Sequence, residues 1–428
     1  MRNIVLVTLD SVRADHCSFM GYYRETTPNI DRMARKGLNF KNAISPAPRT
    51  LPSMVGIFTG KLMNIYVKAD CEAEFWKKNA RLNLRSRKTL AEVLSSKGYT
   101  TGAFCPNAYT SRYFGFNKGF NYFQDFLFAK KSHQKIFEKM IKGSKIFSYI
   151  RNIENLILKQ EAFKTWESYY DEIIEWISKA KEPFFLWVFL LDTHLPWLVP
   201  RRFRKWGNFF DMYYSGWKIF KFLNKQNADI PEKIRKKLIN AYDDSIYYAD
   251  SFIGKLQKDL EDYDPIFVIH SDHGEEFGER GFYGHYYPHL YEENIHVPLV
   301  VSNLDEKKEI EKPVSLLNLL KIILILGTND SFSADSFLGE TDDWIIAKDF
   351  DYKRKKTILA VRIKDWKFIV GQKDIDELYN LKQDPNEREN LISEYPKLVK
   401  EMKNIVKPQL DMKMRKERFV KGLQRIII

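Results

Sequence analysis

Apolar positions along the chain fall into short blocks separated by longer amphipathic stretches. Residues 3–9 (NIVLVTL) are almost wholly apolar, the pattern of a strand buried on both faces of a parallel sheet. Residues 27–36 predict a short helix with Pro28 in its first turn. A helix over 89–97 and a strand over 99–104 follow, and 184–191 and 265–270 are further buried strands, each preceded by a helical stretch. The alternation runs to about residue 327 and predicts a mixed, largely parallel sheet between helices. After a polar break over 328–335 the period changes. Residues 343–348, 357–363, 366–370 and 377–381 read as four short strands in close succession, and 395–406 as a closing helix. The expected organisation is a large α/β unit over 1–330 and a small antiparallel subdomain over 331–428.

Composition narrows the class. Hydrophobic residues make up 44% of the 428, enough for a sizeable core and too many for global disorder. The longest apolar run, 184–191, is far short of the ~20 residues of a membrane-spanning helix. Three scattered cysteines (Cys17, Cys71, Cys105) exclude a disulfide framework and point to a reducing compartment. The first strand pattern begins at once and leaves no room for a secretory leader, so a cytoplasmic protein is expected. Sixty-nine basic residues against 56 acidic ones give a formal charge of +13, which favours anionic partners. A lysine- and glutamate-rich surface of thermophile type accounts for the same numbers. No nucleic-acid recognition motif is present, so no specific nucleic-acid partner is expected.

In open α/β sheets, ligands bind beyond the carboxyl ends of the strands. Three predicted strands end in chemistry-bearing residues: Leu9-Asp10-Ser11, Leu191-Asp192-Thr193-His194, and Ser271-Asp272-His273-Gly274-Glu275. Two carboxylates and an imidazole converging there would suit a divalent metal. Each has a plainer explanation: Asp at a strand end caps the next helix, and a buried His273 can be a satisfied core histidine.

With these blocks the sequence resembles the sulfatase family of the alkaline phosphatase superfamily. The resemblance is carried by Ile4 to Asp10 with Arg13-Ala14-Asp15, by Thr26-Thr27-Pro28-Asn29-Ile30-Asp31, and by Thr50-Leu51-Pro52-Ser53-Met54 with Thr59-Gly60-Lys61. It continues through Ser271 to Glu275, Gly284-His285, and Tyr291-Glu292-Glu293 leading to Val297-Pro298-Leu299. The tail adds Val361-Arg362, Trp366-Lys367, Glu377 to Leu381 and Asp384-Pro385, all in collinear order. The resemblance implies an alkaline-phosphatase-like fold with the catalytic unit over 1–330. It implies Asp10, Asp272 and His273 as metal ligands, and Thr50 as a nucleophile that also touches the metal. It further implies His194 facing the leaving group, Lys61 and Asn107 binding the nucleophile or substrate oxygens, and His285 where many members carry an anion-reaching lysine.

The departures from the family pattern are specific. Most sulfatases carry Cys or Ser at the Thr50 position, converted to formylglycine within Cys-x-Pro-Ser-Arg; threonine cannot be converted, and Met54 replaces the arginine. Ser11 replaces a common second aspartate, and His273 stands where calcium-binding members have an oxygen ligand. One carboxylate fewer and one imidazole more favour manganese or zinc, with calcium as the alternative. Thr-nucleophile members of the superfamily, including lipoteichoic acid synthases and phosphoethanolamine transferases, act mostly on phosphodiesters, and the single-metal layout is similar to that of phosphonate monoester hydrolases. The expectation is a metal-dependent hydrolase or transferase of phosphate or sulfate esters through a Thr50 adduct. A sulfatase using unmodified Thr50 and a catalytically inactive anion-binding homologue are the alternatives.

Two basic regions lie outside these motifs. Residues 201–225 interleave seven cationic side chains with nine aromatics, and 407–428 carry seven more cations before a terminal Ile-Ile-Ile. Both read either as solvated or helical cover, or as a peripheral contact with an anionic membrane face or polymer.

Overall fold

A computed structural model describes residues 1–125, 165–209, 230–328, 333–373 and 375–408. An eight-stranded sheet organises the larger part. Its strands are β1 (Ile4–Leu9), β2 (Leu38–Phe40), β3 (Thr100–Phe104), β4 (Tyr122–Gln124), β5 (Phe184–Leu190), β6 (Ile266–Ser271), β7 (Leu299–Ser302) and β8 (Lys308–Ile310). Their spatial order is β8-β2-β7-β6-β1-β5-β3-β4, and only β7 runs antiparallel to its neighbours. This is the mixed, largely parallel sheet that the pattern predicts.

All six residues of β1 are buried, because both faces of the strand are covered. Ile4 and Leu6 point to a layer built from α2 (Thr50–Thr59), Glu72–Arg85, Leu90–Ser96 and Leu319–Thr328. Val5, Val7 and Leu9 point to the opposite layer, from α1 (Pro28–Lys36), Tyr170–Lys179 and the long helix Glu232–Asp259. The period of two along the strand therefore divides the core into two halves. Thr89 caps its helix in a capping box with Glu92, as its Thr-x-x-Glu spacing suggests.

The four C-terminal strands form an antiparallel meander: β9 (Trp344–Asp351), β10 (Lys356–Ile363), β11 (Trp366–Val370) and β12 (Glu377–Asn380). Residues 396–408 are helical. One face of the meander packs on Ile44, Leu290, Tyr291 and Ile295, and the other on Val399, Met402 and Val406. A buried ion-pair cluster joins the meander to the segment after β6. Lys367, fully buried, donates to Glu292 at 3.0 Å and pairs with Glu387 at 2.8 Å, while Arg362 donates to Glu292 at 2.8 Å. Arg280 pairs with Glu293, whose backbone carbonyl accepts the Glu275 N–H at 3.0 Å. The Tyr-Glu-Glu and tail motifs thus brace the loop that carries His273.

Of the two basic regions, only 201–209 and 407–408 fall within the described residues. There Arg201, Arg202 and Lys205 are exposed, and the Phe209 side chain is half exposed. Among the described residues no helix is long and apolar enough to cross a membrane.

Candidate active site

Strand register builds the site. Leu9 is opposite both Leu190 and Ser271, so Asp10 and Asp272 leave adjacent parallel strands at one level. Both carboxylates are fully buried. Asp10 Oδ1 accepts from the Ser11 hydroxyl (2.8 Å) and Oδ2 from Asn107 Nδ2 (2.7 Å). Asp272 Oδ1 accepts the backbone N–H groups of Ser11 (3.1 Å) and His273 (2.9 Å). Ser11 adopts left-handed backbone (φ 60°), a conformation that non-glycine residues use sparingly, and its amide and hydroxyl serve one aspartate each.

His273 Nδ1 lies 2.8 Å from the Gly274 carbonyl, which fixes the proton on that nitrogen and turns the Nε2 lone pair toward the carboxylates. Nε2 is 3.4 Å from Asp272 Oδ2 and 3.8 Å from Asp10 Oδ1. Asp272 Oδ2 is buried without a hydrogen-bond partner among the described residues, an arrangement that costs free energy unless a cation meets it. One ligand atom each from Asp10, Asp272 and His273 lie within 4.8 Å of one another. Two hard oxygens and one imidazole nitrogen this close suit a single divalent ion. Burial and the neighbouring Asp10 charge hold the Asp272 carboxyl well above its usual range, and burial holds His273 down at about 3.

Thr50 is the first residue of α2, although Pro52 follows only two residues later. Proline in the first turn removes an N–H that has no partner inside the helix anyway, so the helix starts two residues before it. Thr50 is only 4% exposed, and its Oγ1 is 3.1 Å from His273 Nε2. The helix N-terminus places partial positive charge beside that hydroxyl. Ser53, the motif serine, donates to the Asp272 carbonyl at 2.7 Å and ties α2 to the aspartate loop. Gly274 is required for close approach: a Cβ there would lie 2.0 Å from the Glu293 carbonyl oxygen.

A row of imidazoles extends outward. The His273 and His285 rings are 4.4 Å apart, and those of His285 and His194 are 5.1 Å apart. His194 Nδ1 contacts the Leu195 carbonyl at 2.7 Å. His285 Nδ1 lies 3.3 Å from both oxygens of Glu275, a fully buried carboxyl that the sequence motif contains without pointing to a role. Burial raises Glu275 to about 8 and lowers His285 to about 3.

The structure therefore brings Asp10, Thr50, Asp272, His273, His285 and His194 into one neighbourhood. Asn107 is there too, bonded to Asp10. Lys61 is not. It is exposed and follows Gly60 at the opposite end of α2, and ten helical residues span roughly 15 Å. The place that the resemblance implies for Lys61 is not met, because the rigid helix carries it away from Thr50.

A family model described as Sulfatase matches residues 2–328. An arylsulfatase of Clostridium perfringens is 24% identical, with 96% of this chain and 94% of that protein covered. The phosphonate monoester hydrolase of Agrobacterium radiobacter superposes with a TM-score of 0.69 at 17% identity, covering 97% of this chain and 96% of that one. An enzyme solved in complex with its substrate D-glucosamine-2-N,6-O-disulfate superposes with a TM-score of 0.68 at 16% identity, covering 97% and 98%.

Proposed function

Because the chain belongs to the sulfatase family, we propose that it is a metal-dependent ester hydrolase or transferase acting through a covalent Thr50 adduct, on phosphoryl esters in preference to sulfuryl ones. The observation that carries the proposal is the 3.1 Å contact between the buried Thr50 hydroxyl and His273 Nε2, beside Asp272 Oδ2, which has no hydrogen-bond partner among the described residues.

Asp10, Asp272, His273 and Thr50 would hold the divalent ion, manganese or zinc before calcium because one donor is nitrogen. When bound, the ion supplies Lewis-acid stabilisation of the anionic ester oxygens and lowers the pKa of the hydroxyl. Thr50 Oγ1 attacks the central atom at the positive end of α2, giving up its proton to solvent as the bond to the leaving alcohol breaks. His194, outermost in the imidazole row, delivers a proton to the departing oxygen, and the neutral His285 beside it faces the anionic ester oxygens. Water, or an acceptor alcohol, then displaces Thr50 from the adduct and restores its hydroxyl. Asn107 orients Asp10, and Glu275 sits behind His285.

Threonine favours phosphoryl transfer, because an ordinary ester adduct needs attack by water to resolve, whereas a hydrated aldehyde resolves by elimination. A second reading, sulfuryl ester hydrolysis with unmodified Thr50, draws support from the arylsulfatase relative and from the neighbour solved with a sulfated sugar. Parallel assays of nitrophenyl sulfate, a nitrophenyl phosphodiester and a nitrophenyl phosphonate with each metal test the choice. Faster phosphodiester or phosphonate turnover is expected; faster sulfate turnover selects the second reading, and metal binding without turnover selects an inactive homologue. We further propose a cytoplasmic location with a peripheral contact to anionic membrane or polymer through the basic segment beginning at Arg201.

A further inference from the structure

Arg49 directly precedes Thr50, so its side chain departs from the rim of the nucleophile's helix. The guanidinium is held from two directions. Nε and Nη2 donate to the two oxygens of Asp349 in β9, each at 2.8 Å, and Nη2 also reaches the Phe350 carbonyl at 3.3 Å. The guanidinium carbon lies over the Trp76 ring, 4.5 Å from its centroid. Asp349 is 3% exposed, so the fork rests on a rigid partner. The remaining nitrogen, Nη1, makes no hydrogen bond among the described residues, and the side chain keeps 18% of its exposure.

Arg49 is the chain neighbour of Thr50 and lies close enough to the site to act on it electrostatically. The Arg49 charge bears on both His285 and Tyr109. Tyr109 donates its backbone N–H to Asn107 Oδ1 at 2.8 Å, and Asn107 in turn holds Asp10. Tyr286 stacks on His285 with a ring separation of 5.5 Å and a 9° tilt. Both tyrosines are 49% exposed although each is one contact from the buried centre. The rim thus combines a fixed N–H pair that makes no hydrogen bond among the described residues, the nearby Glu72 charge and two aromatic surfaces.

We propose that the Nη1 edge of Arg49 is a subsite for a second anionic group, a carboxylate, sulfate or phosphate borne by the alcohol part of the substrate. The proposal rests on the ester-hydrolase reading above. Asp349 cancels the formal charge of Arg49, so the edge selects by N–H direction more than by net attraction, and its preorganisation spares the ordering cost of a free arginine.

The test compares a plain nitrophenyl ester with counterparts carrying a ring carboxylate or a ring sulfate, on the metal-supplied enzyme. A kcat/KM ratio of about tenfold or more for at least one doubly anionic ester is expected, collapsing toward one in R49Q and falling between in R49K. The stronger of the two counterparts identifies the anion. A ratio near one in the wild type, or a ratio that R49Q leaves unchanged, overturns the subsite. Calorimetric binding of the same compounds to the Thr50→Ala protein makes the comparison without turnover. There, tighter binding of a doubly anionic ester that R49K weakens supports the subsite, and equal affinities overturn it. Absence of wild-type turnover on every ester counts against the hydrolase reading alone, since binding still decides the subsite.

Discussion

His273 Nε2 and Thr50 Oγ1 lie 3.1 Å apart although 223 positions separate them in the chain. The contact depends on two independent supports: β6 delivers His273 just beyond its carboxyl end, and α2 presents Thr50 at its first turn. Thr50→Ala removes one hydroxyl from a buried position and leaves both supports intact. Turnover is expected to fall by about a thousandfold or more, as when a covalent nucleophile is lost. Thermal midpoint should stay close to wild type, and the three remaining proposed ligands, Asp10, Asp272 and His273, should keep metal content largely intact. Retention of wild-type rates in a nitrophenyl ester assay would exclude the covalent route.

On the proposed ligand set, Asp272 would couple metal binding to pH. Its carboxyl is held above the usual range by burial and by Asp10, so a proton must leave before a cation can bind. His273, at about 3, is already neutral at ordinary pH and adds no further dependence. Manganese or zinc affinity should therefore climb with pH, by up to about tenfold per unit while Asp272 remains protonated. Titrations at pH 5.5 and 7.5 measure it. Asp272→Asn should weaken binding and flatten the slope; affinity independent of pH would contradict the ligand assignment.

Much of this arrangement is legible in the sequence, and the gaps have physical reasons. β1 is readable because six successive buried residues leave no polar alternation, and Asp10 and Asp272 stand out as carboxylates ending such strands. Pro52 obscures the helix that Thr50 opens, although a first-turn proline is compatible with one. The place that the resemblance implies for Lys61 is not met because the same helix moves its end far from its start. Glu275 gives no local sign of its burial. Its surroundings come from the segments around His285 and Glu293, which fold over it through contacts that no short window contains.

The Lys367 cluster should be a stability element rather than a chemical one. Lys367 is fully buried between Glu292 and Glu387, so Lys367→Met leaves two buried carboxylates without their shared cation. Loss of one partner of a buried pair costs about 3–5 kcal/mol, which denaturant titration would register. Arg362 and Lys367 hold Glu292 at about 2, below its unfolded value. Its contribution is thus present above about pH 4.5 and fades as pH falls toward 2. Arg280 and Glu293 continue the brace to Glu275, so the variant should also lose activity.

Cationic Arg201, Arg202 and Lys205, with half-exposed Phe209, are the described part of the basic segment. Each basic residue near an anionic bilayer contributes about 1 kcal/mol, screened within a Debye length. Co-sedimentation with phosphatidylserine vesicles at low salt, released at high salt, is expected. Replacing the three cations by glutamine should weaken it, and absence of binding at either salt would dismiss a peripheral role.

His270 should make the fold sensitive to acid. The side chain is fully buried in β6, with Nε2 2.9 Å from the Thr8 hydroxyl and Nδ1 3.0 Å from the Ser271 carbonyl. Trp187 Nε1 also donates to Thr8, so this small network is complete with a neutral imidazole. Burial lowers the His270 pKa to about 4, against about 6.5 in an unfolded chain. Between those values the unfolded state binds the extra proton, so stability rises with pH across that window and is fully present above it. Moving from pH 7.5 to 5 should cost about 2 kcal/mol from this residue alone. Chemical denaturation at the two pH values measures the total, and His270→Asn, which cannot titrate, should reduce the difference by a similar amount. An undiminished difference in that variant would assign the acid sensitivity to other groups, with His273 and His285, each at about 3, the next to test.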